Sequence, residues 1–221
     1  MQEKNSPFTS TFPLKQQVIA GVIVFYEEST ENLAPHFSPK EAAQFSLLVC
    51  EAQIDPKKAY SQALAWKEER KNHPAIDNLL AFLHLQNKEL KKAEELIMQS
   101  YGNYPDYLFA KINYADQCLR KKQRKEIPRI FPTFELSKLL PHKAAFHVSE
   151  FRGFMILLAR YHRQIGKKKD AQKYYEYAYT ADPSHPSVIA LEKELFRNFK
   201  PYKSLLQFLK FFRVVAKNSR G

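Results

Sequence analysis

Apolar residues recur at three- and four-residue steps along most of the chain, and the segments that show this period are bounded by proline or by Asp/Asn turn signals. The pattern predicts helices over residues 14 to 28, 39 to 53, 56 to 71, 74 to 86, 90 to 101, 106 to 122, 148 to 165, 168 to 181, 185 to 198 and 201 to 217. Asn103-Tyr104-Pro105 and Asp182-Pro183-Ser184 are stop signals. Between 126 and 150 the period is broken by Pro128, Pro132 and Pro141, and that stretch reads as an irregular insertion. The longest apolar run, Val18 to Tyr26, has nine residues, whereas a membrane span needs about twenty. Lys4 and Lys15 precede that run as they would in a secretory leader, but Glu27 and Glu28 stand where a small-residue cleavage site belongs, so a buried N-terminal helix is expected.

Comparison of the chain with itself gives the strongest signal, at a spacing of 34 residues. From Arg152 to His185 the order is Leu158-Ala159, Gly166, Ala171, Tyr175, Ala178 and Pro183: a close helix contact, a turn glycine, a small residue, an aromatic, another small residue and a helix stop. A unit beginning at Pro74 repeats Leu80-Ala81, Ala93, Ile97 and Pro105, with Ser100 at the later small position. A first unit near Lys40 keeps Leu47 and Ala59 in register but has Trp66 at a small-residue position. A third, from Leu108, keeps Tyr114-Ala115 before the prolines intervene, and register resumes at Arg152.

These residues resemble the tetratricopeptide repeat family over about two-thirds of the chain, with Met155 at the early Trp position and His162 at the usual Tyr position. The resemblance implies an all-α fold, an α-solenoid of stacked antiparallel helix pairs. The expected organisation is an N-terminal extension and helix over 1–38, repeats over 39–198, and a basic amphipathic capping helix and tail over 199–221.

Composition narrows the function classes. Five glycines in 221 residues leave no glycine-rich phosphate loop, and Cys50 and Cys118 lie apart with no CxxC pattern, so neither a disulfide framework nor a zinc module is expected. A reducing, cytoplasmic setting follows. The seven histidines form no HExxH or similar signature; His142, His147 and Glu150 are the nearest approach to a metal or acid-base cluster, and no nucleophile elbow is present. A non-catalytic protein without cofactor or metal is expected.

A net charge of +12 favours acidic or anionic partners. Basic residues recur at the turn inside each unit: Lys57 and Lys58, Lys91 and Lys92, then Lys121, Lys122, Arg124 and Lys125, then Lys167, Lys168 and Lys169. They would form a basic edge able to track a phosphate backbone, or serve only to keep exposed turns solvated; Arg120 to Lys125 also matches a nuclear-localisation pattern. In residues 203 to 217, Lys203, Gln207, Lys210, Arg213 and Lys217 face away from Leu205, Leu206, Phe208, Leu209, Phe212 and Val215. That stripe would cap the solenoid, or lie on an anionic membrane or in a partner's groove.

The family resemblance implies a concave groove formed by the first helix of each pair, here presenting Asn78, Phe82, Asn113, Asp116, Arg120, Arg160, Arg163 and Gln164. Its three arginines would suit an acidic peptide or protein. Nucleic-acid binding through the basic edge is the alternative function, as is peripheral membrane association through the last helix.

Overall fold

The structure, a computed structural model, describes residues 16–26, 37–70 and 73–196. Two short strands, β1 (Gln16–Ile19) and β2 (Val22–Phe25), are followed by helices α1 (Pro39–Ile54), α2 (Pro56–Glu69), α3 (Pro74–Gln86), α4 (Leu90–Asn103) and α5 (Leu108–Arg120). A 3-10 turn (Arg124–Glu126) leads into the one-turn helices α6 (Ile127–Ile130) and α7 (Leu136–Leu139) and a strand β3 (Ala145–His147). The long helices α8 (Val148–Gln164), α9 (Lys168–Ala181) and α10 (Pro186–Phe196) complete the described fold.

Local chemistry sets the helix starts. Pro39, Pro56, Pro74 and Pro186 each open a helix at a position whose N–H would be unbonded in any case. Ser38 and Glu41 form a reciprocal capping box, and Asp55 accepts the Lys58 N–H at 3.1 Å.

The repeat is visible in the turns. Lys88, Lys122 and Gly166 occupy equivalent left-handed positions, with φ of 62°, 61° and 81°. In each turn the next residue's N–H reaches back to the carbonyl of a residue in the first helix: Glu89 to His84, Gln123 to Cys118 and Lys167 to His162, at 2.8–2.9 Å. Lys88 and Lys122 lie 34 residues apart and Lys122 and Gly166 lie 44 apart, so the third unit is ten residues longer than the second.

Helices pack as antiparallel pairs, α1 on α2, α3 on α4 and α8 on α9, and the pairs stack through α2 on α3, α4 on α5, α5 on α8, and α10 on α8 and α9. Ala59, Ala63, Ala93, Ala171 and Ala178 are buried at the crossings. One core lies among α1–α3 around Phe45, Leu48 and Ile76; a second runs from α5 to α10 around Phe151, Phe154, Leu158 and Tyr175. The α-solenoid of stacked antiparallel helix pairs is thus the observed fold, and the helices expected from 39 to 198 all occur.

The extra N-terminal helix expected over 14 to 28 does not. That run is a hairpin in which Ile19 pairs with Val22 and Val18 with Ile23. Ala20 and Gly21 both have positive φ, 52° and 77°, the two-residue turn whose twist matches that of a hairpin, and β-branched residues on either side favour the extended backbone. β2 then pairs in parallel with β3, placing Ile19, Val22 and Val24 in the second core. The insertion expected at about 126–150 is irregular, as the prolines imply, and supplies that third strand. The helix expected over 201 to 217, with its capping role, lies outside the described residues.

Gly166 has open space where a Cβ would go, so only its backbone conformation resists substitution. Gly166→Ala is expected to lower stability in urea denaturation by about 1 kcal/mol, the cost of placing an L-residue in the left-handed region. A loss above about 3 kcal/mol would indicate a steric contact that the structure does not contain.

Candidate functional site: a concave groove and a basic edge

The first helices of successive pairs line a concave cavity of about 590 Å³. Phe45 and Val49 come from α1, Asn78, Leu79 and Phe82 from α3, and Phe109 and Asn113 from α5. Its far wall is the start of α8, with His147, Ser149, Glu150 and Arg152. The Asn113 Nδ2 donates to Asn78 Oδ1 at 2.6 Å, bridging two units. That bond uses one donor and one acceptor of the pair, leaving the Asn78 amide nitrogen and the Asn113 carbonyl oxygen to meet a ligand.

Charge at the far wall is compensated internally. Glu150 is buried and holds Lys143 Nζ at 2.6 and 2.8 Å while accepting the His147 N–H at 3.1 Å. Arg152 Nη1 donates to Asp182 Oδ2 at 2.6 Å. Enclosure of the Tyr107 hydroxyl, with Glu150 adding to it, pushes that phenol above its usual range, so it stays a neutral donor. The His147, Glu150 and His142 grouping suggested by the sequence is therefore a helix start and an ion pair: His147 caps α8 by accepting the Ser149 N–H. Among the described residues no group of three or more His, Cys, Asp or Glu side chains is placed to hold a metal ion.

Of the eight groove residues expected, Asn78, Phe82 and Asn113 line the cavity. Asp116, Arg120, Arg160, Arg163 and Gln164 lie further along α5 and α8. There Arg160 joins three helices: its Nη1 donates to Asp116 at 3.2 Å and its Nε to Glu194 at 3.1 Å. Arg120 Nε also donates to Asp116, at 3.1 Å. The carboxylates that Arg160 and Arg120 would take from an acidic peptide are thus already supplied by the chain, and only Arg163 is exposed without such a partner among the described residues. Tyr107, Phe109, Glu150 and Arg152 were not anticipated as lining residues; the break in register before α8 hides Glu150 and Arg152, whereas Tyr107 and Phe109 precede it at the start of α5.

The basic turns of the third and fourth units adjoin. Arg124 Nη1 donates to the Gln164 carbonyl at 3.0 Å and Gln164 Nε2 donates to the Leu119 carbonyl at 3.3 Å, so the turns of the third and fourth units lie side by side. Lys121 is tied to Glu94 at 2.7 Å, while Lys122, Lys125, Lys167, Lys168 and Lys169 are exposed. At the other end of the row, Lys58 pairs with Glu51 and Lys92 with Glu89.

Behind this edge His162 is buried among Phe134, Tyr161 and Tyr174, with neither ring nitrogen hydrogen-bonded. Burial lowers its pKa, Asp170 opposes this, and Lys167 and Lys173 push it lower again.

Against known proteins, no family model matches the chain, and a search of curated proteins finds no match. A solved structure described as "MamA RS-1 ArsTM double mutant" superposes with a TM-score of 0.44 and 14% identity, over 80% of this chain and 95% of that one. The class is therefore set by the geometry itself: an α-solenoid of stacked antiparallel helix pairs. No helix among the described residues is long and apolar enough to cross a membrane.

His162 and His185 are both held below the usual imidazole value of 6.5, first by burial. The unfolded chain takes up protons at these residues as pH falls through 6.5 while the folded chain does not, so the sign is loss of stability on acidification. The melting temperature is expected to be constant above about pH 7 and to fall toward about pH 5. His162→Phe, which suits the aromatic surroundings, should make that fall shallower; an unchanged slope would mean that His162 does not contribute.

Proposed function

We propose that this protein is a non-catalytic interaction module whose groove holds a short segment of a partner polypeptide. The observation that carries this reading is the cavity lined by three successive first helices, with apolar side chains and a bridged asparagine pair among its lining residues. Phe45, Val49, Leu79, Phe82 and Phe109 accept apolar side chains, and the two asparagine amides can bond one backbone N–H and one C=O of the same segment. Arginine pairs do not set the specificity, because Arg160 and Arg120 are engaged within the fold. Acidity in the partner enters through the overall charge of +12, which accelerates encounter with acidic flanks around an apolar anchor.

Selection from a display library of random short peptides tests this directly. Enriched sequences should share apolar anchors and lose at least about tenfold in affinity toward Asn78→Ala/Asn113→Ala, about 1.4 kcal/mol. Removing both partners of the bridging hydrogen bond leaves no orphan between them, so the helical circular-dichroism signal should persist. Peptides that bind the double variant undiminished would sink the groove assignment.

A further inference from the structure

The unpaired lysines of the basic edge are concentrated in two adjoining turns. Lys58 pairs with Glu51, Lys67 with Asp77, Lys92 with Glu89, Lys121 with Glu94, Lys138 with Glu135 and Lys143 with Glu150, while Lys40, Lys57, Lys88, Lys91, Lys173 and Lys193 are exposed without an ion pair among the described residues. Lys122, Lys125, Lys167, Lys168 and Lys169 are exposed and make no ion pair among the described residues, although they sit in two adjoining turns where like charges repel. Lys168 and Lys169 also occupy the first turn of α9, whose backbone dipole disfavours cations, and no side chain caps that helix. The one arginine between the two turns, Arg124, spends its guanidinium on the Gln164 carbonyl and fixes their spacing.

We propose that this edge is a second binding surface, distinct from the groove, and that its ligand is the sugar-phosphate backbone of a nucleic acid. The chemistry favours phosphate over the carboxylates of an acidic protein. Five of the unpaired cations at this end are lysines, which meet phosphates as point charges on mobile stems, and the exposed Arg163 beside Gln164 adds a fork that also fits phosphate. They stand exposed in two adjoining turns, an arrangement open to sequence-independent backbone contact. The helix α8 runs from Arg152 in the groove wall to Gln164 beside the edge, about 18 Å at 1.5 Å per residue, so the two surfaces can be altered separately.

The test is fluorescence anisotropy of the full chain with a labelled single-stranded RNA of about 20 nucleotides, titrated between about 50 and about 300 mM salt. The logarithm of affinity should fall with the logarithm of salt at a slope of about −3, near −0.7 per phosphate neutralised. Lys167→Glu/Lys168→Glu/Lys169→Glu should reduce affinity at about 100 mM salt by at least about tenfold and flatten the slope by about 2, with the helical signal kept because glutamate suits a helix N-terminus. Lys122→Ser/Lys125→Ser in the neighbouring turn provides a second, independent loss, and Asn78→Ala/Asn113→Ala should leave RNA binding intact. A salt-independent affinity, or binding unchanged in both lysine variants, overturns the proposal. Displacement of the RNA by polyglutamate at equal charge concentration would overturn it in favour of an acidic protein.

Discussion

Two helices of a pair can lie close together only where the residue at their crossing ends at Cβ, and Ala59, Ala63, Ala93, Ala171 and Ala178 supply that residue, each buried at 2% exposure or less. The close approach gives each pair one flat apolar side rather than a core of its own, so stability comes from stacking on the next pair. Stacking in one direction with the same turn geometry each time, left-handed at Lys88, Lys122 and Gly166, sets the first helices along one concave side. The groove is thus a consequence of alanine spacing before any ligand is considered.

The third unit shows what happens when that constraint is relaxed. Ile127 and Phe131 stand at the positions of Ala93 and Ile97, and Pro132 follows at once, so the second helix of this unit ends after one turn. Neither bulky side chain is wasted: both are buried in the larger core, with Phe131 edge-on to Phe154 at 5.0 Å. The space is closed by β3 and by the hairpin β1–β2, which brings residues from the start of the chain onto α8 and α9. The same detour lengthens α8 at its N-terminus by a turn ahead of Arg152, and it is this added turn that carries Ser149 and Glu150 into the groove wall. The irregularity in the repeat therefore builds one end of the candidate site.

Much of this was legible in the sequence because helix pairs are local. Period, proline starts and the 34-residue recurrence located every helix from α1 to α5 and α8 to α10, and the first-helix positions Asn78, Phe82 and Asn113 followed from the same register. The hairpin was missed because Val18 to Tyr26 is apolar on both sides of a strand and carries no alternation to expose its period; the signal was Ala20-Gly21 between two β-branched runs. The groove wall at Glu150 and Arg152 was hidden because it depends on how far the insertion displaces α8. The burden on Arg160 was half visible: Glu194 lies one 34-residue period beyond it, whereas Asp116 lies across the insertion.

Charge separates the two surfaces in physical terms. Around the groove, each charged group buried or half-buried at the wall has a counter-charge within the chain, Glu150 with Lys143 and Arg152 with Asp182, so a ligand entering there need not strip water from an unpaired ion. Apolar contact and amide hydrogen bonds then decide what binds, and such recognition responds weakly to salt. At the other end of the same helices, five lysines keep their charge exposed and unpaired, and one of them, Lys167, acts with Lys173 to disfavour protonation of His162. That end can attract an anion at long range through its exposed charge. Under the two proposals above, a partner presenting both an apolar segment and a polyanionic region would gain from each surface in turn, since α8 rises about 18 Å between Arg152 and Gln164.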